Sequence, residues 1–311
     1  AKICINTGQT LWKIKLPGRV HSQATSDSSG SRIFVSTYKA NDVHGVVVND
    51  IDNVKGHLVV VEAETGKTLN QIPFTAEAKA TPFYSSEEDA IWVGTYESCI
   101  EKIINGIISV SAPVSGSVSA IIGGTKERPV IVTTTSGSVH CFSSSGVEIW
   151  KAKHSPIFAA PVTVYINAKP FVLFGSVDSK VHCLSIVDGS EKWIFECGAA
   201  IFGSICVVEP NAIIFGSNDK FARMINLESG SLIWETCLDS TIASTPTIVN
   251  GDLAVFASTR GSVFWIELKS GRIISKVLLE GEIFSSPESI DSATSDIVIG
   301  CRDNCVYRLE K

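Results

Sequence analysis

Ala254-Val255-Phe256-Ala257-Ser258-Thr259-Arg260-Gly261-Ser262-Val263-Phe264-Trp265-Ile266 reads as two β-rich runs on either side of a turn. Lys269-Ser270-Gly271 follows as a second hairpin turn, where glycine supplies the positive φ that such turns demand. Working outward, the first run is one of a series of short apolar strands ending in a small residue. The others are Ile33-Phe34-Val35-Ser36, Trp92-Val93-Gly94, Ile131-Val132-Thr133, Leu173-Phe174-Gly175, Ile214-Phe215-Gly216 and Val298-Ile299-Gly300. Counted from residue 36, the seven end residues lie 58, 39, 42, 41, 41 and 43 apart.

Two further marks keep the same phase. A turn glycine precedes a tryptophan by four residues at Gly8…Trp12, Gly146…Trp150, Gly189…Trp193 and Gly230…Trp234, while Gly66, Gly106 and Gly271 hold that slot without the tryptophan. A small-residue segment precedes the strands at Ala80-Thr81-Pro82, Ala159-Ala160-Pro161, Ser244-Thr245-Pro246 and Ser285-Ser286-Pro287. A sustained repeat of about forty residues, each with four strand-like runs, is the pattern of a propeller blade. No segment carries a long apolar stripe of helical period. The expected fold is all-β: one domain over residues 1–311, a seven-bladed β-propeller of four-stranded antiparallel blades. Trp12, Trp150, Trp193 and Trp234, with Gly94, Gly175, Gly216 and Gly300, are its structural repeat positions.

The last repeat stops after Cys305-Val306-Tyr307-Arg308-Leu309 without a glycine-to-tryptophan strand, and the first begins with one. Residues 8–14 are therefore expected to complete the seventh blade and close the ring, removing exposed sheet edges. Lys2-Ile3-Cys4-Ile5 resembles a second copy of 305–309, so one of the two is surplus or displaced. The long first interval places a surface-loop insertion at 39–56, between the second and third strands of the first blade. The third repeat, around residues 106–122, lacks both tryptophan and proline and is the weakest copy.

Composition narrows the function classes. With 44% hydrophobic and 19% charged residues the chain has the material for a large core, and disorder is excluded as its general state. Its 26 Lys+Arg against 32 Asp+Glu give a formal charge of −6, which argues against nucleic acid or an anionic membrane as partner. The uncharged stretch 103–125 is long enough to span a bilayer, but Pro113, its glycines and its serines make two strands and a turn the better reading. The nine cysteines, mostly in apolar runs, and the absence of any Asn-x-Ser/Thr point to a reducing, cytoplasmic location. A start at Ala1 and a lone Met224 suggest a piece of a longer protein.

The apolar-Gly-Ser, Val-Tyr-x-Leu, Gly-x-x-x-Trp and Ser-Ser-Pro elements resemble the pyrroloquinoline-quinone-type propeller repeat. A narrower resemblance lies in Gly281-Glu282-Ile283-Phe284-Ser285-Ser286-Pro287 and Ile299-Gly300-Cys301-Arg302-Asp303-Asn304-Cys305-Val306-Tyr307. These are similar to the end of the β-alanine-activating enzyme family, acyl-CoA-synthetase relatives akin to aminoadipate-semialdehyde dehydrogenase. The resemblance implies an upstream adenylating domain and a carrier domain, which use ATP, Mg and phosphopantetheine. It implies no catalytic residue, cofactor site or metal site in this chain.

Other constellations have ordinary structural readings. Cys301 and Cys305 flank a tight turn and could form a redox pair or half a metal site, but zinc needs four ligands, and two plain strand thiols is the preferred reading. Asp178, Asp219 and Asp303 occupy matching turns, where aspartate caps its own backbone more readily than a calcium ion. His140 and His182 each precede a cysteine and are read as facing a neighbouring blade or solvent. The repeating tryptophans are read as packing between blades, which leaves Tyr38, Trp92 and Tyr96 as the interface aromatics.

The leading functional expectation is a non-catalytic accessory propeller of an amino-acid-adenylating, carrier-loading enzyme. Its candidate channel or partner face comprises Phe158, Phe202, Phe284, Ser285, Arg302 and Asp303. Expected partners are the parent's adenylation and carrier domains, with an unidentified protein or an aminoacyl acceptor beyond them; nucleic acid and membrane are not. Two alternatives stand beside it. A quinone-dependent dehydrogenase would need vicinal cysteines, which this chain lacks; a free-standing scaffold like the outer-membrane assembly lipoprotein would need a lipoprotein signal upstream.

Overall fold

The computed structural model describes residues 1–39, 53–123, 128–291 and 294–311. Among these residues there are twenty-nine strands and no helix, arranged in eight antiparallel sheets. Two compact units divide the chain, residues 1–153 and 154–311.

The first unit opens with a two-stranded sheet, β1 (Lys2–Ile3) and β2 (Thr10–Trp12). Three four-stranded meanders follow. They are β3 (Thr25–Ser26) with β4 (Arg32–Tyr38), β5 (Gly56–Glu62) and β6 (Thr68–Phe74); β7 (Phe83–Ser85) with β8 (Ala90–Gly94), β9 (Cys99–Ile104) and β10 (Ile107–Pro113); and β11 (Val118–Gly123) with β12 (Val130–Thr134), β13 (Ser138–Phe142) and β14 (Glu148–Lys153). The weakest repeat is thus a complete sheet. Most of the 39–56 insertion, residues 40–52, lies outside the described residues, and its flanks join β4 to β5 as the interval requires.

The second unit repeats the plan. Its sheets are β15 (Val162–Ile166) with β16 (Lys169–Gly175), β17 (Lys180–Ser185) and β18 (Glu191–Glu196); β19 (Cys206–Val208) with β20 (Ala212–Gly216), β21 (Phe221–Asn226) and β22 (Leu232–Cys237); and β23 (Thr247–Val249) with β24 (Leu253–Ala257), β25 (Ser262–Glu267) and β26 (Ile273–Leu278). The last sheet has three strands, β27 (Glu288–Ser289), β28 (Ile297–Gly300) and β29 (Val306–Leu309). The strand expected to complete it, β2, is hydrogen-bonded to β1, with Lys2 opposite Trp12. Cys141, Cys183 and Met224 face Trp150, Trp193 and Trp234 in the same way, so β1–β2 has the register of a third-to-fourth-strand hairpin.

Burial follows strand order. Among second and third strands, β12, β13 and β24 are buried along their whole length, while the fourth strands β14 and β18 alternate between exposed and half-buried. The cores lie between successive sheets. Leu173, Cys183, Ile213 and Phe215 fill the space between the first two sheets of the second unit. Phe34, Leu58, Ile91 and Val93 do the same between the first two four-stranded sheets of the first. A middle strand covered on both faces must be apolar on both, which explains the unbroken runs that mark the repeat.

Two devices lock neighbouring sheets together. The repeat tryptophans Trp12, Trp193 and Trp234 each sit on the next sheet's hairpin, where Nε1 donates to the carbonyls of Ala63, Leu227 and Leu268 at 3.1, 3.0 and 2.7 Å. The ring lies so close over Gly66, Gly230 and Gly271 that a Cβ there would stand 2.7–2.8 Å from it. The small-residue segments form the second device. The amides of Ala160, Ser204 and Thr245 donate to the hydroxyls of Ser204, Thr245 and Ser286, each one repeat further on.

Candidate functional site

The segment before each first strand in the second unit carries a buried isoleucine followed by an outward residue. Ile157, Ile201, Ile242 and Ile283 are wholly or almost wholly buried, and Phe158, Phe202 and Phe284 after three of them are exposed by 51, 37 and 46%. Ala243 fills the fourth slot. Alternation forces this outcome: once the isoleucine is anchored inward, its neighbour must point out. Phe158 and Phe202 pair, with ring centroids 5.8 Å apart. Phe284 lies under the Arg302 guanidinium, whose carbon is 4.0 Å from the ring centroid. Arg302 also meets Glu282 at 3.0 Å, both side chains being mostly exposed, so that pair contributes little and yields readily to a better anion.

Of the six predicted face residues, the structure groups Phe158 with Phe202 and Phe284 with Arg302. Ser285 is adjacent but occupied: its hydroxyl donates to the Gly300 carbonyl at 2.6 Å and accepts the Gly300 amide at 3.1 Å. Asp303 turns into its own hairpin, accepting the Cys305 amide at 2.9 Å and the Tyr307 hydroxyl at 2.5 Å. The Tyr307 hydrogen bond, above all, holds the Asp303 carboxyl below its ordinary value.

The first unit has a corresponding feature that the sequence reading missed. The Tyr96 amide bonds the Glu77 carbonyl as the Arg302 amide bonds that of Glu282, which puts Lys79 in the slot of Phe284. The Lys79 ammonium lies 4.5 Å from the ring centroids of both Tyr38 and Tyr96 and pairs with Glu77. The signal was available, since Lys79 precedes Ala80-Thr81-Pro82 as Phe158 precedes Ala159-Ala160-Pro161. Tyr38 and Tyr96 are thus half-exposed, as an interface role requires, but Trp92 is not: it is fully buried against Ile100, Val130 and Val132.

The remaining candidates bond or pack within the protein. Asp219 accepts the Phe221 amide at 3.0 Å and pairs with Arg223 at 2.8 Å. Burial pushes the Asp219 carboxyl up, but those bonds win and hold it below its ordinary range. His140 and His182 do not face solvent; both are buried, stacked on Phe142 and Phe174. The His182 Nε2 lies 3.2 Å from the Ser176 hydroxyl, and its ring packs against His154 at 4.6 Å between centroids. Burial lowers the pKa of both. Cys301 and Cys305 are free thiols whose backbones close the hairpin, the Cys301 amide donating to the Cys305 carbonyl at 2.9 Å. Among the described residues no three His, Cys, Asp or Glu side chains form a metal cluster.

A search of curated proteins returned no match to this chain. A family model described as the β-propeller of the β-alanine-activating enzyme matches residues 1–311. With its meandering antiparallel sheets and its family match over the full length, the chain belongs to the β-propeller family of the β-alanine-activating enzyme.

Proposed function

We infer that the chain is a non-catalytic docking domain of an ATP-dependent enzyme that activates an amino acid and loads it onto a carrier. The exposed aromatic series with one cation, Phe158, Phe202 and Phe284 with Arg302, carries this reading. Exposed rings beside a weakly held arginine suit a partner that offers apolar contact and a phosphate, since aromatics and arginine dominate binding hot spots. The phosphopantetheine arm of the parent's carrier domain has both. ATP and Mg would act in the upstream domains, and this chain would hold no cofactor of its own. The adenylation domain and an aminoacyl acceptor are further partners, and the location is cytoplasmic.

Residues 1–311 would form a single seven-bladed ring, closed by β2 as a fourth strand. Trp12 supports this arrangement because its seat matches those of Trp193 and Trp234, which both belong to fourth strands.

Calorimetric titration with the parent's carrier domain tests the docking role. The phosphopantetheine-bearing form should bind, and Phe158→Ala with Phe202→Ala, or Arg302→Glu, should weaken it about tenfold, or about 1.4 kcal/mol. No heat at high micromolar concentration, or equal binding by those variants, would overturn the assignment.

A further inference from the structure

The tryptophan seats offer an internal standard for reading one place where a seat is not filled. The fourth-strand residue opposite the third strand at this register is Trp12, Trp193 and Trp234 in β2, β18 and β22, but Asn70 in β6, Val110 in β10 and Ser275 in β26. Asn70 stands over Gly106 as the indoles stand over Gly66, Gly230 and Gly271: its Nδ2 lies 2.5 Å from where a Cβ on Gly106 would be. An amide side chain is far smaller than an indole. The hairpin beneath is also shorter, with Ile104 and Ile107 paired across a two-residue turn, so it lacks the loop that carries the carbonyl acceptor elsewhere.

A pocket of about 200 Å³ results, between the sheets β3–β6 and β7–β10 of the first unit. Its wall includes Phe34, Ile91 and Ile103, all buried. At its more exposed side stand Asn70, Asn105 and the ion pair of Arg32 with Asp89. Arg32 is fixed by Asp27 and Asp89 together, and the Tyr84 hydroxyl donates to Asp89 at 2.9 Å. The rim is therefore rigid and nearly charge-balanced. An apolar cavity of about 150 Å³ is enough to bind a benzene ring. Where the same register in β2, β18 and β22 holds an indole with its N–H bonded, this pocket has the apolar floor for a ring and carboxylate and amide oxygens for a donor.

We propose that the Asn70–Gly106 pocket is a binding site for a flat aromatic ring of about indole size that carries an N–H donor. The ring lies beside the Asn70 amide between the two sheets, and its N–H points to the Asp89 and Asn105 side. The site is separate from the aromatic docking face, and neither depends on the other.

Titration of the ¹⁵N-labelled chain with indole at millimolar concentration tests this directly. The amides of Leu69, Asn105 and Gly106 should shift in a saturable way, and Tm should rise by about 2 °C at ten times Kd. A parallel titration with N-acetyltryptophanamide separates the two sources of such a ring. Shifts with both compounds assign the site to a tryptophan side chain of a polypeptide; shifts with indole alone assign it to a free small molecule. Asn70→Trp fills the seat and should abolish the response, whereas Asn70→Ala should retain it. No saturable shift at those three amides in the unaltered chain would overturn the proposal whether or not the variants fold. An undiminished response in folded Asn70→Trp would do the same.

Discussion

Trp234 shows what one residue contributes. It is 8% exposed, its Nε1 bonds the Leu268 carbonyl at 2.7 Å and its ring covers Gly271. Trp234→Ala removes a buried aromatic and leaves a void between two sheets, so the urea-unfolding free energy should fall by about 3–5 kcal/mol. Trp234→Phe keeps most of the ring but orphans the carbonyl and should cost about 1–3 kcal/mol. The tryptophan was legible as a repeat mark. Its seat was not, because Trp193 and Trp234 rest on glycines 37 residues further along, not on the ones four residues before them. The same glycines are required twice over: Gly271 has φ of +72° for its hairpin and has no room for a Cβ beneath the ring.

At the scale of the element, the small residue that ends each second strand acquires a physical reason. A Cβ on Gly216 would lie 2.1 Å from Cγ2 of Ile242, on Gly175 2.3 Å from Cγ2 of Ile201, and on Gly94 2.2 Å from Cγ1 of Val118. None of these three glycines has a positive φ, so space alone excludes a side chain. Gly300 is the exception, with Ser285 no closer than 3.5 Å. Gly216→Ala should destabilise by about 1–3 kcal/mol through overpacking. Combined with Ile242→Ala it should cost clearly less than the sum of the two single changes, because each makes room for the other. A double-mutant cycle by urea unfolding would read the coupling; strict additivity would show that the two groups do not meet. The glycine repeat itself was visible in the sequence, but its partner isoleucine lies in the next repeat and carries no local mark.

Over the molecule as a whole, buried titratable groups set the dependence of stability on pH. Burial lowers the pKa of His140, His154 and His182, although Glu148 and Glu191 partly oppose this for His140 and His182. A histidine kept neutral in the fold protonates more readily when unfolded. Its stabilisation is complete above the ordinary value of about 6.5 and declines as pH falls below it towards the depressed folded value. Asp239 acts lower: burial opposes ionisation, but Lys276, Ser262 and Ser258 hold its pKa at about 2, so its contribution is lost only between the ordinary carboxylate range and about pH 2. Tm should therefore fall between pH 7.5 and pH 5.0, before the carboxylates matter. His154→Phe, which removes a buried Nε2 with no hydrogen-bond partner among the described residues, should flatten that fall. An unchanged slope in differential scanning calorimetry would remove His154 from this account.

The sequence by itself determined the all-β class, the repeat, the hairpin turns and the family, since alternation, turn glycines and short motifs are encoded within stretches of about ten residues. It also offered Phe158, Phe202, Phe284 and Arg302 as a candidate face, from the small-residue segments and the blade loops beside them. Only the tertiary structure decided what those elements pack against. It buried Trp92, tied Ser285 to the Gly300 backbone, set Lys79 between two tyrosines and left Asn70 over a glycine whose counterparts Gly66, Gly230 and Gly271 are covered by indole. Each of these depends on contact between residues far apart in sequence, and such contacts are fixed by the space between neighbouring sheets, for which no single repeat carries the pattern.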